Sequence, residues 1–219
     1  MTDPASATPL PQPARPIMRT EPVQQRSADR ITHLLDAAAQ AIDEHGIDGL
    51  TTSDVAQRSG SSVGVVYRYF PNIQSLLRAL AARNMDRFTA CVFGALDREP
   101  ARWLSALDPT IDAYVDLCRS EPGFRALGFG DVIAKRFLET DVSNNTALAR
   151  VFGELMNRKY GTAPTADLLF DLEVLIEIAD ALLSRAFLYD RGGDERFIEK
   201  LRQIVREYMK PHEMAVVDA

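Results

Sequence analysis

The sequence predicts an all-α protein in two parts: an N-terminal three-helix unit of the helix-turn-helix kind and a larger C-terminal helical body. Three observations carry this. Apolar residues recur at three- and four-residue spacing from Ile31 to Tyr208, with no alternating strand pattern to compete. Residues 50–72 read as two short helices about a glycine-centred turn, then a third helix start. Residues 165–189 carry apolar side chains around most of a helix circumference, so that helix must be buried on more than one side.

The elements follow in order. Residues 1–26 hold six of the 12 prolines and read as a disordered arm. Its Arg15, Arg19 and Arg26 belong either to a solvated tail or to an arm that reaches phosphates or a minor groove. A first helix is expected over 27–45, with Ile31, Leu34, Leu35, Ala38 and Ile42 inward and Gly46 as its stop. Thr51, Thr52 and Ser53 offer hydroxyl caps for a second helix over 52–59, whose inward residues are Val55 and Ala56. Gly60 sits where a left-handed residue ends it. Ser62 caps a third helix over 62–69 that turns Val66 and Phe70 inward.

A fourth helix starts at Asn72 and carries a stripe of Leu77, Ala81, Met85, Phe88, Val92 and Leu96. It outruns what a three-helix unit needs and predicts a stiff rod into the rest of the chain. Asp108-Pro109 reads as a cap followed by proline at the first helical position. That helix runs through Ile111, Tyr114, Val115 and Cys118 to Pro122, and short pieces follow at 124–129 and 131–138. A helix over 144–160 stops at Gly161, and the long one spans 165–189. Asp194 caps a last helix through Phe197, Leu201, Ile204, Val205 and Tyr208, stopped by Pro211. The expected division is an arm at 1–26, the helix-turn-helix unit at 27–71, the body at 72–210 and a tail at 211–219.

Composition narrows the functions. A net charge of −6 excludes a generic polyanion binder, and 46% hydrophobic content suffices for one large or two modest cores. From 27 to 70 the cations are Arg30, Arg58 and Arg68, against Asp29, Asp36, Asp43, Glu44, Asp48 and Asp54. That balance weakens non-specific phosphate attraction. Cys91 and Cys118 stand singly in helical patterns and read as reduced thiols. His33, His45 and His212 are scattered, with no metal-binding histidine motif, phosphate loop or paired-cysteine motif. The expectation is no enzyme, no cofactor and no metal. No apolar run approaches the ~18 residues of a span, so a cytoplasmic protein without a membrane partner is expected.

Recognition is the chemistry left. The third helix would enter the major groove of double-stranded DNA. Gly64 lets the backbone come close, and Val65 can meet a thymine methyl. Thr52, Ser53 and Ser62 offer hydroxyls to phosphates or bases, as do Tyr67 and Tyr69, although Tyr69 reads equally as half core. Val63 fits either side. Arg68, the one long cation of this helix, either clamps a guanine or neutralises a phosphate.

Thr51-Thr52, Gly60, Ser62-Val63-Gly64, Tyr67 and Tyr69-Phe70-Pro71-Asn72, with this spacing, resemble the DNA-binding domain of the TetR family of bacterial regulators. The resemblance runs from about Ser27 to Leu80. It implies that Tyr67 contacts a phosphate. It further implies a homodimer through the last two long helices, an inverted-repeat operator, and a small-molecule effector bound inside the body. Most such proteins are repressors. Two departures stand out: Ile73 where many relatives carry lysine, and Val65 where many carry a small hydrogen-bonding residue.

Candidate pocket residues are Phe88, Trp103, Tyr114, Phe124, Phe152, Met156 and Phe170, each read more readily as ordinary core than as a ligand contact. Glu177 shares a face with Glu173 and Asp180, either a solvated stripe or the partner of a cationic ligand. Leu175, Leu182, Phe187, Leu201, Val205 and Tyr208 are the candidates for the dimer interface. The opposing function is a ligand-free DNA-organising or partner-binding module, which would lack an enclosed pocket.

Overall fold

The computed structural model describes residues 21–98, 103–127, 144–161 and 163–212, and among these there is no strand. Among the described residues nine α-helices succeed one another. They are α1 Glu21–His45, α2 Thr52–Arg58, α3 Val63–Tyr69, α4 Ile73–Arg98, α5 Leu107–Ser120, α6 Phe124–Leu127, α7 Asn144–Tyr160, α8 Ala166–Phe187 and α9 Glu195–Met209.

Local chemistry explains the boundaries. The Thr51 hydroxyl accepts from the amide of Asp54 at 3.1 Å, so Thr51, rather than Thr52 or Ser53, caps α2. Gly60 takes φ 61° and closes that helix while the amide of Ser61 reaches back to the carbonyl of Ala56 at 2.9 Å. Ser62 caps α3 by accepting from the amide of Val65 at 3.3 Å. Asn72 Oδ1 accepts from the amide of Ser75 at 2.8 Å, and Ser75 Oγ accepts in return from the amide of Asn72 at 3.3 Å. Thr165 and Asp194 cap α8 and α9.

Two boundaries differ from expectation. Helix α1 starts at Glu21, six residues before Ser27. Pro22 permits this because a first-turn residue has no intrahelical use for an amide hydrogen. Asp108 is not a cap, since α5 opens at Leu107 straight from the 3-10 turn Trp103–Ala106. Asp108 instead sits in the first turn and accepts from Arg206 of α9 at 2.6 Å, clamping α9 to α5. The expected short helix at 131–138, and residues 128 and 129 of the one before it, lie outside the described residues.

The helices enclose two cores. The first, here called the reader core, joins Leu34, Leu35, Ala38 and Ile42 of α1 to Val55, Val66, Phe70 and the α4 residues Leu76, Leu77 and Leu80. The second fills the body with Phe88 and Val92 of α4, Tyr114 and Cys118 of α5, Leu148 of α7, Leu172 and Leu183 of α8, and Ile198 and Leu201 of α9. Helix α4 therefore belongs to both. So does α6: Phe124 is buried in the body core and Leu127 in the reader core.

The junction is tight. Gly123, at φ 70°, lies so near α1 that a Cβ there would stand 2.7 Å from the carbonyl oxygen of Ala39. Ion pairs flank the contact: Arg83 with Asp36 at 2.6 Å, Arg125 with Asp43 at 2.5 Å, and Arg87 with Glu121.

Candidate DNA interface and ligand cavity

Helix α3 presents Val63, Gly64, Tyr67 and Arg68 outward, with Tyr67 half exposed at 50%. Val66 and Phe70 lock its other side into the reader core. Val63 thus falls on the outer side, whereas Val65 is half-buried. Thr52 donates to the Tyr67 hydroxyl at 3.4 Å, which sets the phenol across the gap between α2 and α3. Ser53 and Ser62 are exposed, the latter with its oxygen engaged as a cap.

Tyr69 is half-buried against the reader core, and the Arg68 guanidinium lies 5.1 Å from its ring centroid. A hydrogen bond from Ser27, with the nearby charges of Arg68 and Arg30, holds the Tyr69 phenol below its ordinary range. Gly64 is open: a Cβ there would meet nothing closer than the Ser62 hydroxyl at 3.9 Å.

The three cations of this unit have different fates. Arg58 is consumed internally. Its two terminal nitrogens donate to both oxygens of Glu44 at 2.9 and 2.6 Å, and its Nε to Asp54 at 2.9 Å. The Arg58 hydrogen bonds hold the Glu44 carboxyl below its usual range. Arg68 is exposed, and so is Arg30, whose guanidinium donates to Ser61 in the turn at 3.3 Å. Arg30 and Ser61 were not singled out in the sequence, because nothing local says that α1 crosses beside that turn.

Inside the body lies a cavity of about 130 Å³. Of the candidate pocket residues Phe88, Tyr114, Phe152 and Met156 line it, together with Ala106, Leu148, Leu172, Ala179 and Asp180. Their rings meet edge to face, Phe88 with Tyr114 at 5.6 Å and with Phe152 at 6.1 Å. Burial pushes the Tyr114 phenol well above its ordinary range and the Cys118 thiol up to about 12.

Three expected lining residues are misplaced. Phe124 packs behind Tyr114, ring to ring at 5.4 Å, as core rather than wall. Phe170 points away from the body and is 65% exposed. Glu177 is exposed as well, whereas its neighbour Asp180 does reach the wall. Glu173 accepts from Thr146 at 2.8 Å, tying α8 to α7. The side chain of Trp103 lies outside the described residues.

The dimer candidates divide. Leu175, Leu201 and Val205 are buried in the core of a single protomer, so they have no surface to offer a second one. Leu182, Phe187 and Tyr208 are half-buried, and Tyr208 donates to Asp171 at 2.7 Å. Helix α8 is apolar on two sides. One side enters the core through Leu168, Leu172, Leu175, Leu183 and Ala186. The other side carries Phe170, Val174 and Ala181, exposed or half-buried, with Ile178 and Leu182 half-buried at its border with the body core.

A helix-turn-helix reader on a helical body, joined by a shared rod, defines a DNA-binding transcriptional regulator. Comparison with known proteins specifies it. The family model for bacterial regulatory proteins of the tetR family matches residues 34–80, and the model for the tetracyclin repressor-like C-terminal domain matches residues 101–213. The chain belongs to the TetR family of transcriptional regulators.

The fold superposes on a TetR-family regulator from Streptomyces coelicolor with a TM-score of 0.71 at 33% identity, covering 83% of this chain and 98% of that one. The regulator FadR from Bacillus subtilis, solved with stearoyl-CoA, shares the fold at a TM-score of 0.58 and 14% identity, over 81% of this chain and 98% of that one. Among curated relatives, the regulator BetI of Burkholderia thailandensis is 44% identical over 50 residues, 23% of this chain. That match spans 26% of BetI, about a quarter of its length. Among the described residues no helix is long and apolar enough to cross a membrane.

Proposed function

We propose that this regulator is a cytoplasmic homodimeric repressor, released from an inverted-repeat operator by a small, largely apolar molecule bound in the body. The observation that supports it most is the cavity, whose wall is mostly Phe, Leu, Ile, Met and Ala side chains, with Thr110, Tyr114, Tyr160 and Asp180 as its polar members. A ligand-free module has no need of such a void.

Helix α4 is the route outward. Phe88 faces the cavity while Leu76, Leu77 and Leu80, two to three turns earlier, are fixed in the reader core. A ligand that presses on Phe88 favours a different tilt of the rod, and with it a different spacing of two readers. By reciprocity, ligand and DNA oppose each other by about 1–3 kcal/mol.

The second apolar side of α8 supports the dimer. Phe170, Val174, Ile178 and Leu182, beside Phe197 and Ile204 of α9, form a surface that a copy of itself can cover as a four-helix bundle. Phe170 belongs to that surface rather than to the pocket. On DNA, Tyr67, Arg68 and Thr52 carry the contacts, with Arg30 and Ser61 beside them.

The test begins with DNA sequences selected from a random pool by the purified protein, which should yield inverted repeats. A panel of medium-chain alcohols and aromatic hydrocarbons should then contain members that raise the melting temperature and weaken the gel shift. Phe152→Trp, which fills the cavity, should abolish both responses and leave unliganded DNA binding nearly unchanged. Ile178→Arg should give monomers in sedimentation with little operator affinity. A panel without response would leave the ligand-free reading standing, and an active monomer would remove the dimer.

A further inference from the structure

A second, larger void lies where reader and body meet. It measures about 530 Å³, and its walls come from both sides: Ile42 and Asp43 of α1, Arg125 of α6, Leu183 and Phe187 of α8, and Arg191 after α8. The function proposed above makes no use of it.

Its two arginines equal its two carboxylates in number but are unevenly paired with them. Arg125 and Arg191 converge on the single carboxylate of Asp43 at 2.5 and 3.0 Å. The other carboxylate on the wall, Asp190, is engaged by the amide of Gly192 at 2.8 Å. The two guanidiniums also differ in freedom. The Arg125 side chain is 18% exposed and pinned, whereas that of Arg191 is 71% exposed and reaches Asp43 from solvent. Around this charged end the wall is apolar, and Leu188 and Tyr189 stand exposed at its edge.

We propose that this cleft is a second effector site, which takes a small aromatic carboxylate. The flat apolar body lies against Leu183 and Phe187, and the carboxylate takes the fork of Arg191 in place of Asp43. Arg125 alone suffices to keep Asp43 paired. Asp43 is already held from two sides, so a cation would have only the amide-engaged Asp190 to meet.

Occupancy acts on the reader directly. An occupant touches α1 and α8 at once and removes the Arg191 link between them, including its donation to the backbone oxygen of Asp43 at 3.2 Å. Tyr114 and Leu183 line this cleft as well as the apolar cavity. The two voids therefore share a wall, and each ligand senses the other.

The test uses the full chain, titrated calorimetrically with 1-naphthoate and with the neutral 1-naphthalenemethanol. Naphthoate should bind about tenfold more tightly than the alcohol, the margin of one charge-assisted contact. Arg191→Gln should erase that margin, and Arg191→Lys should keep most of it. Ser184→Trp, an exposed position on the cleft wall, should block both probes while helical content by circular dichroism stays at the wild-type level. Equal affinity for the two probes, absence of naphthoate binding, or binding indifferent to Arg191→Gln and Ser184→Trp would each overturn the assignment. Neither Arg191 nor Ser184 lines the apolar cavity, so probe binding that is lost in Phe152→Trp but kept in Arg191→Gln and Ser184→Trp belongs to that cavity and not to this cleft.

Discussion

The reader and the body solve the packing problem differently. The reader core is built from leucines and a run of alanines, Ala37, Ala38, Ala39 and Ala41, with Leu34, Leu76, Leu77 and Leu80 fully buried. The body core is built around aromatic rings and leaves a void of about 130 Å³ among them. At ~24 cal/mol per Å³, leaving that volume empty costs about 3 kcal/mol. A unit that must present one geometry to DNA is closed, whereas a unit that must change keeps room for something to enter.

The contrast breaks most visibly under truncation. Leu77→Ala in the reader should cost about 2–5 kcal/mol in urea unfolding, because the site cannot collapse. Met156→Ala on the cavity wall should cost less than about 2 kcal/mol, since its side chain already borders empty space. Equal costs would mean that the two cores are packed alike.

Next in size is the division of labour among the reader's arginines. Arg68→Ala should lose about 1–3 kcal/mol of operator affinity at unchanged stability. Arg58→Ala should do the opposite, lowering the melting temperature of the reader while operator affinity, measured well below that temperature, holds. Similar loss of affinity in both variants would make Arg58 a DNA contact after all.

Filling the void should reverse the sign. Ala179→Leu on the cavity wall is expected to stabilise the body by about 1 kcal/mol. A destabilised variant would show the cavity to be too tightly shaped to accept added carbon.

The smallest effect is electrostatic. Hydrogen bonds from Arg196, first its side chain and then its amide, hold the Asp194 carboxyl at about 2, below its ordinary 3.8. A lowered folded-state value means the stabilisation is present above 3.8 and is lost as pH falls toward 2. Asp194→Asn keeps a cap but removes the charge. Its urea midpoint should therefore fall less than that of the wild type between pH values of about 4 and about 2. Parallel curves would assign the acid sensitivity elsewhere.

Much of this was legible in the chain because caps and periodicity are local. Thr51, Gly60, Ser62, Asn72 and Asp194 mark helix ends by their own chemistry, and the described helices stand in the expected order. Which side of α8 faces inward was not legible. A helix apolar all round has no phase, so Phe170 read as pocket while Leu175, with Leu201 and Val205 of α9, read as interface. That Arg58 is spent on Glu44 was not legible either, because that partner lies 14 residues away, out of reach of any local pattern. Four aromatic or thioether wall residues of the cavity were named, but the void itself owes as much to Ala106 and Ala179. Missing volume leaves no mark on a sequence.

The close approach of Gly123 to Ala39 has a genetic consequence. Any other residue at 123 must hold a left-handed backbone and push its Cβ against the carbonyl of α1, so α6 and α1 cannot both keep their places. The strain falls on the junction of reader and body, away from the outward side of α3. A selection for mutants that have lost their operator should therefore return changes at codon 123. Such alleles would make a protein that still accumulates and still takes its ligand, with both halves intact and the order between them lost.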